Sequence, residues 1–269
     1  MDFSFGIISS FETSNYLERI ILSIRNLNIP NYEIIIVGEK LQKFSSDDVK
    51  IINFKDDSPR PWITKKKNLI TKEAKFENIV YLHDYIYFDK EWYSEFLKFG
   101  DNFEICINPI MNKDGTRYRD WCIFYKNNTR FDQFFKSSKE CLIPYNEKSL
   151  TKYMYISGAY WIGKKKVMED YPLDEKRFWG DGEDVEWSFR VRKHFNFKIN
   201  KNSLVKMLKY QDPVWIDIED HNLQSFKIYV GSNEEKIDKI KFLIKRNLNT
   251  LFRILKINTY FSIFDIKAK

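Results

Sequence analysis

The segment Phe178-Trp179-Gly180-Asp181-Gly182-Glu183-Asp184-Val185-Glu186-Trp187 places four carboxylates within six positions, between two tryptophans and beside two glycines. A carboxylate within hydrogen-bond reach of a hydroxyl can take its proton as a general base. Flat aromatic faces pack against the apolar face of a sugar ring. Together these residue types suit a site that holds a sugar and removes a proton from it. Each residue also has a plainer reading. Glu183, Asp184 and Glu186 complement the N-terminus of a helix, at about 0.3–1 kcal/mol each. The sequence predicts that helix over Ser188 to Phe195. Glu186 stands four positions before Arg190, an ion-pair spacing, and is assigned to the helix. Trp187 shares a helical spacing with Val191 and Phe195 and is assigned to the core. For Asp184, base and helix complement both stand. Trp179 is the preferred sugar platform and Trp161 a second, with core packing as the alternative for each.

A second set of candidates ends a strand. Asn78–Leu82 reads as a central strand that delivers His83-Asp84-Tyr85 to its C-terminal end, where open α/β sheets bind ligands. Asp84 is a metal or phosphate-proximal carboxylate, or a turn residue. His83 is a candidate metal or phosphate contact. Lys65, Lys66 and Lys67 open a predicted helix, where cations oppose the dipole unless an anion such as pyrophosphate lies nearby. The alternative is a solvated basic face. Arg60, between two prolines, is a further phosphate candidate.

The elements that must position these groups alternate. Phe3–Phe11 reads as a buried strand. Asn15–Leu27 carries apolar residues at Leu17, Ile20, Ile21, Ile24 and Leu27, a helical period that Ser14 or Asn15 can cap. Glu33–Val37 is a second strand and Ile51–Phe54 a weaker third. Thr64–Lys75 is a helix. Arg117–Tyr125 and Met154–Ile162, the latter interrupted by Gly158, are further strands. This order predicts an α/β fold with a mixed, mostly parallel sheet flanked by helices. Residues 1–232 form the expected main domain, and 233–269 a basic C-terminal extension. Within it, Ile237, Ile240, Ile244, Leu248, Leu251 and Leu255 line one face of a helix over 234–256, with lysines and arginines elsewhere. That pattern suits an anionic membrane surface, or packing on its own domain or a second subunit as a homo-oligomer.

Composition bounds the partners. The 269 residues are 43% hydrophobic and 17% aromatic, enough for a packed core. A net charge of +7 favours an anionic partner without choosing among nucleic acid, membrane and phosphorylated substrate. Basic residues are scattered and form no nucleic-acid motif, so no nucleic-acid partner is expected. Three cysteines, Cys106, Cys122 and Cys141, lack metal-type spacing and predict a reducing compartment. No basic leader or membrane-length apolar run is read, so the expected location is cytoplasmic, or peripheral on the inner face of the membrane.

Three segments resemble the family 2-like glycosyltransferases of the GT-A fold. They are Phe3–Glu39, then Lys65-Lys66-Lys67-Asn68 followed by Ile79–Tyr85, then Ile156-Ser157-Gly158-Ala159 through Gly182–Arg190. The resemblance implies a GT-A, Rossmann-like sheet, a nucleotide-sugar donor, and inverting transfer to an acceptor hydroxyl, with Mn²⁺ or Mg²⁺ as cofactor. UDP is the default carrier. It implies Asp184 as the base; Glu183 and the Trp179 and Trp161 platforms are expected to face the acceptor. It points to Phe11 and Glu12 at the nucleotide base, Glu39 at the end of the second strand, and Lys67-Asn68 as the basic-Asn step. The Asp-x-Asp metal motif falls at His83-Asp84-Tyr85 with only its central aspartate present. A histidine from the region of His221 serves as a metal ligand in several such enzymes, and imidazole with carboxylate oxygens suits Mn²⁺. The acceptor expected beside the basic helix is a glycan or lipid-linked glycan. A non-catalytic nucleotide- or glycan-binding protein is the competing class. A nucleotidyltransferase would need a glycine-rich loop after the first strand, and Ser9–Ser14 contains no glycine.

Overall fold

The computed structural model describes residues 1–9, 15–57, 60–126, 138–145, 154–210, 216–217 and 227–228. Phe11, Glu12, His221, the 232/233 boundary and the 234–256 helix lie outside the described residues.

Strand β1 (Phe3–Ile8) alternates large and small side chains, and so serves two faces at once. Phe3, Phe5 and Ile7 enter one apolar cluster with Leu17, Ile20 and Ile24 of helix α1 (Leu17–Arg25). On the other face, Gly6 meets helix α2 (Ile63–Glu73). A Cβ at residue 6 would stand 2.2 Å from Ile70 Cγ2, so α2 packs this close only over glycine. Strands β2 (Tyr32–Gly38), β3 (Val49–Asn53) and β4 (Asn78–His83) complete the parallel block, β1 lying between β2 and β4. Ile34 and Ile36 of β2 join the α1 face, Ile35 and Val37 the α2 face.

The chain then adds β5 (Ile86–Phe88), α3 (Trp92–Phe99), β6 (Ile105–Ile107) and β7 (Ile110–Met111). Next come β8 (Cys122–Lys126), β9 (Ser138–Leu142), β10 (Tyr160–Lys164) and the short α4 (Lys165–Asp170). Helix α5 (Glu183–Val191) precedes β11 (Phe197–Ile199), β12 (Val205–Met207), β13 (Ile216–Asp217) and β14 (Lys227–Ile228). The main sheet runs β11-β6-β10-β4-β1-β2-β3, with β10 antiparallel to both neighbours. Two smaller sheets, β5-β12-β7 and β13-β9-β8-β14, flank it. The expected mixed, mostly parallel sheet covered by helices is the observed architecture.

Three boundaries differ from the sequence reading by five or six residues, others by one to four. The strand expected over Arg117–Tyr125 begins only at Cys122. Before it, the fully buried Asp120 gathers Arg117, the backbone N–H groups of Ile110 and Trp121, and the Tyr145 hydroxyl, and this pins residues 117–121 in an irregular path. The strand expected over Met154–Ile162 begins only at Tyr160, after a turn at Ser157–Ala159. The helix expected from Ser188 begins at Glu183, because Gly182 takes a left-handed conformation (φ 65°) and starts it there. Glu183, Asp184 and Glu186 thus form the first turn of α5 rather than preceding it, while Asp181 stays before the helix.

Candidate functional site

The C-terminal ends of β1, β2 and β4 bring Ser9, Glu39 and His83-Asp84 to one edge of the sheet. Ser9 donates from Oγ to Asp84 Oδ2 at 2.7 Å, and both are buried. Gly38 lets β2 turn here: a Cβ would lie 2.7 Å from the Ser9 carbonyl oxygen. Glu39 follows it, half-buried. The His83 backbone N–H donates to Ala159 O, which places the Ser157–Ala159 turn beside the end of β4. His83 Nε2 is buried and has no hydrogen-bond partner among the described residues. Burial first, then the charges of Lys67, Lys209 and Lys66, push its pKa well below the ordinary histidine value, so the imidazole is neutral.

Against this edge, α5 presents Glu183 and Asp184, both nearly fully buried. The Gly158 backbone N–H donates to Asp184 Oδ2 at 2.8 Å, and the Val185 N–H donates to Oδ1 at 2.9 Å. Arg119 Nη2 lies 3.7 Å from Oδ2. A Cβ at residue 158 would stand 3.0 Å from Glu183 Oε1 and 3.0 Å from Asp184 Oδ2. Two carboxylates therefore converge over one glycine. Burial first, then the neighbouring Asp184 charge, pushes the Glu183 carboxyl up to about 7, against the pull of Lys67. Each carboxylate oxygen has more than one acceptor direction, so Asp184 can still take a hydrogen bond from a hydroxyl.

Several sequence expectations are corrected. Lys67 is wholly buried: its Nζ donates to Gly158 O at 2.8 Å and lies 4.4 Å from the Trp161 ring centroid. Lys66 pairs with Asp56 at 2.7 Å. Lys66 and Lys67 at the start of α2 are thus offset by carboxylates of the protein itself, while Lys65 Nζ lies 4.2 Å from the Trp62 ring centroid. Asn68 braces the loop before α5, donating to Leu173 O and Glu175 Oε1 and accepting from the Leu173 N–H. Trp161 is fully buried, stacked on Tyr81 at 4.7 Å, and offers no face to a sugar. Arg60 is committed to the same brace, 2.5 Å from Asp181 and donating to Trp179 O.

Trp179 has the opposite character. It is 55% exposed, yet its backbone is held on both sides by Pro61 O and the Arg60 guanidinium. Trp187 is fully buried, and Glu186 meets Arg190 at 3.1 Å, as the spacing predicts.

Two cations at the site carried no sequence signal. Arg119 comes from the irregular stretch before β8. Lys209, half-buried, holds its Nζ 3.8 Å from the Tyr85 ring centroid and feels the Asp84 charge. Neither belongs to a motif or a period; only the topology brings them in. Among the described residues, no group of three His, Cys, Asp or Glu side chains could hold a metal ion. Of the expected metal ligands, Asp84 lies among the described residues, and its Oδ2 accepts the Ser9 hydroxyl.

Among solved structures, the chain is similar in fold to TarS from S. aureus. A crystal structure of TarS 1–349 in complex with UDP-GlcNAc matches with a TM-score of 0.55 at 13% identity, covering 79% of this chain and 60% of that one. TarS 1–349 in a second crystal structure matches at TM-score 0.51 and 15% identity, covering 78% and 59%. A further crystal structure of TarS matches all of this chain and 46% of its own, at TM-score 0.51 and 15% identity. At these identities the likeness is one of fold, and the chain spans about 60% of the length of the first of these structures. No protein-family model matches the sequence, and a search of curated proteins finds no match.

Proposed function

We propose that the chain is a GT-A glycosyltransferase that moves a sugar from a nucleotide-sugar donor, UDP-linked, to a hydroxyl of a glycan or lipid-linked glycan with inversion. The observation that carries this reading is the convergence of Glu183 and Asp184 over Gly158, beside the strand ends that hold Ser9 and Asp84. The fold likeness to a protein crystallised with UDP-GlcNAc supports the donor class.

In this reading the acceptor hydroxyl gives its proton to Asp184 as its oxygen attacks the anomeric carbon. The bond to the donor phosphate breaks on the opposite side. Negative charge then builds on the departing diphosphate, and fixed cations stabilise it. Arg119 and Lys209 are the described cations placed for that role. Glu183, carrying a proton for much of the time near neutral pH, can donate to an acceptor oxygen. Trp179 offers the acceptor a rigid, exposed aromatic face. Mn²⁺ or Mg²⁺, with Asp84 and His221 among its ligands, and contact of residues 234–256 with an anionic membrane surface are additions to the proposal. The metal is tested by repeating the panel below with and without each ion, the membrane contact by co-sedimentation with anionic and neutral vesicles.

The test is a thermal-shift panel of UDP-, GDP-, CMP- and dTDP-sugars, followed by mass-spectrometric detection of transfer or slow donor hydrolysis. UDP-GlcNAc is expected to raise Tm. Asp184→Asn is expected to keep that rise while turnover falls by roughly 10²–10⁴-fold. Full activity in this variant would remove Asp184 from the mechanism. Donor binding without turnover in the unaltered chain would favour a non-catalytic binding protein.

A further inference from the structure

Lys67 is the least expected residue of the cluster. Its side chain is fully buried, and a buried ammonium is tolerated only where charge and hydrogen bonding compensate. The compensation comes from three directions. Nζ donates to Gly158 O at 2.8 Å. The Trp161 ring lies beneath it, centroid at 4.4 Å. Glu183 and Asp184 supply the opposing charge. The same Gly158 donates its N–H to Asp184 Oδ2 at 2.8 Å. One glycine therefore joins the ammonium on its carbonyl side to the carboxylate on its amide side. No side chain fits at residue 158 without pushing the two carboxylates away.

We propose that Lys67 is a positioning residue for the Asp184 base, holding the carboxylate in place through Gly158 and balancing its negative charge with its own. This rests on the reading of Asp184 as the base. The charged and titratable groups around the pair are Lys67 from α2, His83 from β4, Tyr85 just beyond it and Arg119 from the segment before β8. The His83 imidazole is neutral, and Arg119 approaches Asp184 no closer than 3.7 Å. Lys67 is the cation whose hydrogen bond runs through the residue that also binds Asp184. Burial lowers its own pKa to about 8, and the two carboxylates oppose that shift. The ammonium and the pair thus depend on each other for their charge.

The experiment compares Lys67→Met and Lys67→Arg with the unaltered chain. Lys67→Met is expected to lower kcat by ~10-fold or more with donor KM within about twofold, because the base is misplaced while the donor end is untouched. Its kcat/KM profile should move its acidic limb upward by about one pH unit, since losing a nearby positive charge raises a carboxyl pKa. Lys67→Arg, which keeps the charge, should hold the limb near its original position. An acidic limb for Lys67→Met that coincides with the unaltered one would overturn the proposal, as would a change confined to KM. If Lys67→Met does not fold, NMR titration of the Lys67 side chain in the unaltered chain decides the matter. A second inflection where Glu183 titrates, absent in Glu183→Gln, supports the link; a single inflection unmoved by Glu183→Gln overturns it. The NMR readout needs no turnover. If no donor is ever transferred, the glycosyltransferase reading falls while the Lys67 link is still decided.

Discussion

Glu183 and Asp184 are adjacent in sequence, converge on the same glycine, and yet sit in different electrostatic surroundings. Asp184 receives two backbone N–H groups and faces Arg119, whereas burial dominates at Glu183 and favours its neutral form. The sign for stability follows directly. A carboxyl that titrates at about 7 in the folded chain, against the ordinary value of 4.5, binds more protons folded than unfolded between those pH values. Stability from this group is therefore fully present below the ordinary value and declines as pH rises toward 7. Glu183→Gln, which cannot ionise, should gain on the unaltered chain by up to about 1.4 kcal/mol per pH unit across that window. Denaturant unfolding of both proteins at pH 5, 6 and 7 measures the difference. A gap that stays constant or narrows with rising pH would show that Glu183 is ionised in the folded chain. The acidic cluster was visible in the sequence, but this division was not. It depends on Lys67, Arg119 and Gly158, which lie 25 to 117 positions from Glu183 or Asp184 in the chain and are brought in by topology alone.

At the scale of elements, the turn entering β10 is where sequence and structure differ most usefully. A strand was expected through Gly158. The chain instead turns there, so that one residue can bind Lys67 on one side and Asp184 on the other. Gly163, inside β10, gives the control. A Cβ at 163 would also meet a neighbour at 3.0 Å, but that neighbour is the flexible Met168 side chain rather than two buried carboxylates. Gly158→Ala should therefore cost about 1–3 kcal/mol and remove turnover, while Gly163→Ala should keep both activity and most of its stability. Equal activity in the two alanine variants, measured with matched thermal melts, would count against the clamp. The regular elements were readable where one period ran long enough: β1, α1, β2 and β4 follow their apolar patterns, whereas α2 buries Thr64, Lys66, Lys67 and Thr71 beside Ile63 and Ile70. Helix α3 carried a fainter signal in its buried Trp92–Phe96 pair, four positions apart. The two- and three-residue strands β5, β6, β7, β11 and β12 are too short for any period to mark them. The start of α5 was misplaced because the left-handed Gly182, not the apolar spacing, decides it.

At the scale of the whole molecule, the site is assembled from two distant parts of the chain. The ends of β1, β2 and β4, within the first 85 residues, supply Ser9, Glu39 and Asp84. The turn before β10 and the first turn of α5 supply Gly158, Glu183 and Asp184. The parallel block exists to bring strand ends together, and the antiparallel β10 lies against β4 so that the second part meets the first. If the first part holds the nucleotide and the second performs the transfer, binding and turnover should separate by mutation. A donor that binds only the folded chain stabilises it by about 2.7 kcal/mol at a hundred times its Kd. Asp84→Asn should lose most of the donor-induced rise in Tm, because the Ser9–Asp84 contact anchors the edge where the strands end. Asp184→Asn should keep that rise and lose turnover. Thermal melts of both variants with and without UDP-GlcNAc, paired with donor-consumption assays, measure the two effects independently. The reverse pattern, with donor stabilisation lost in Asp184→Asn and intact in Asp84→Asn, would place the nucleotide on α5 and require the two parts of the site to exchange roles.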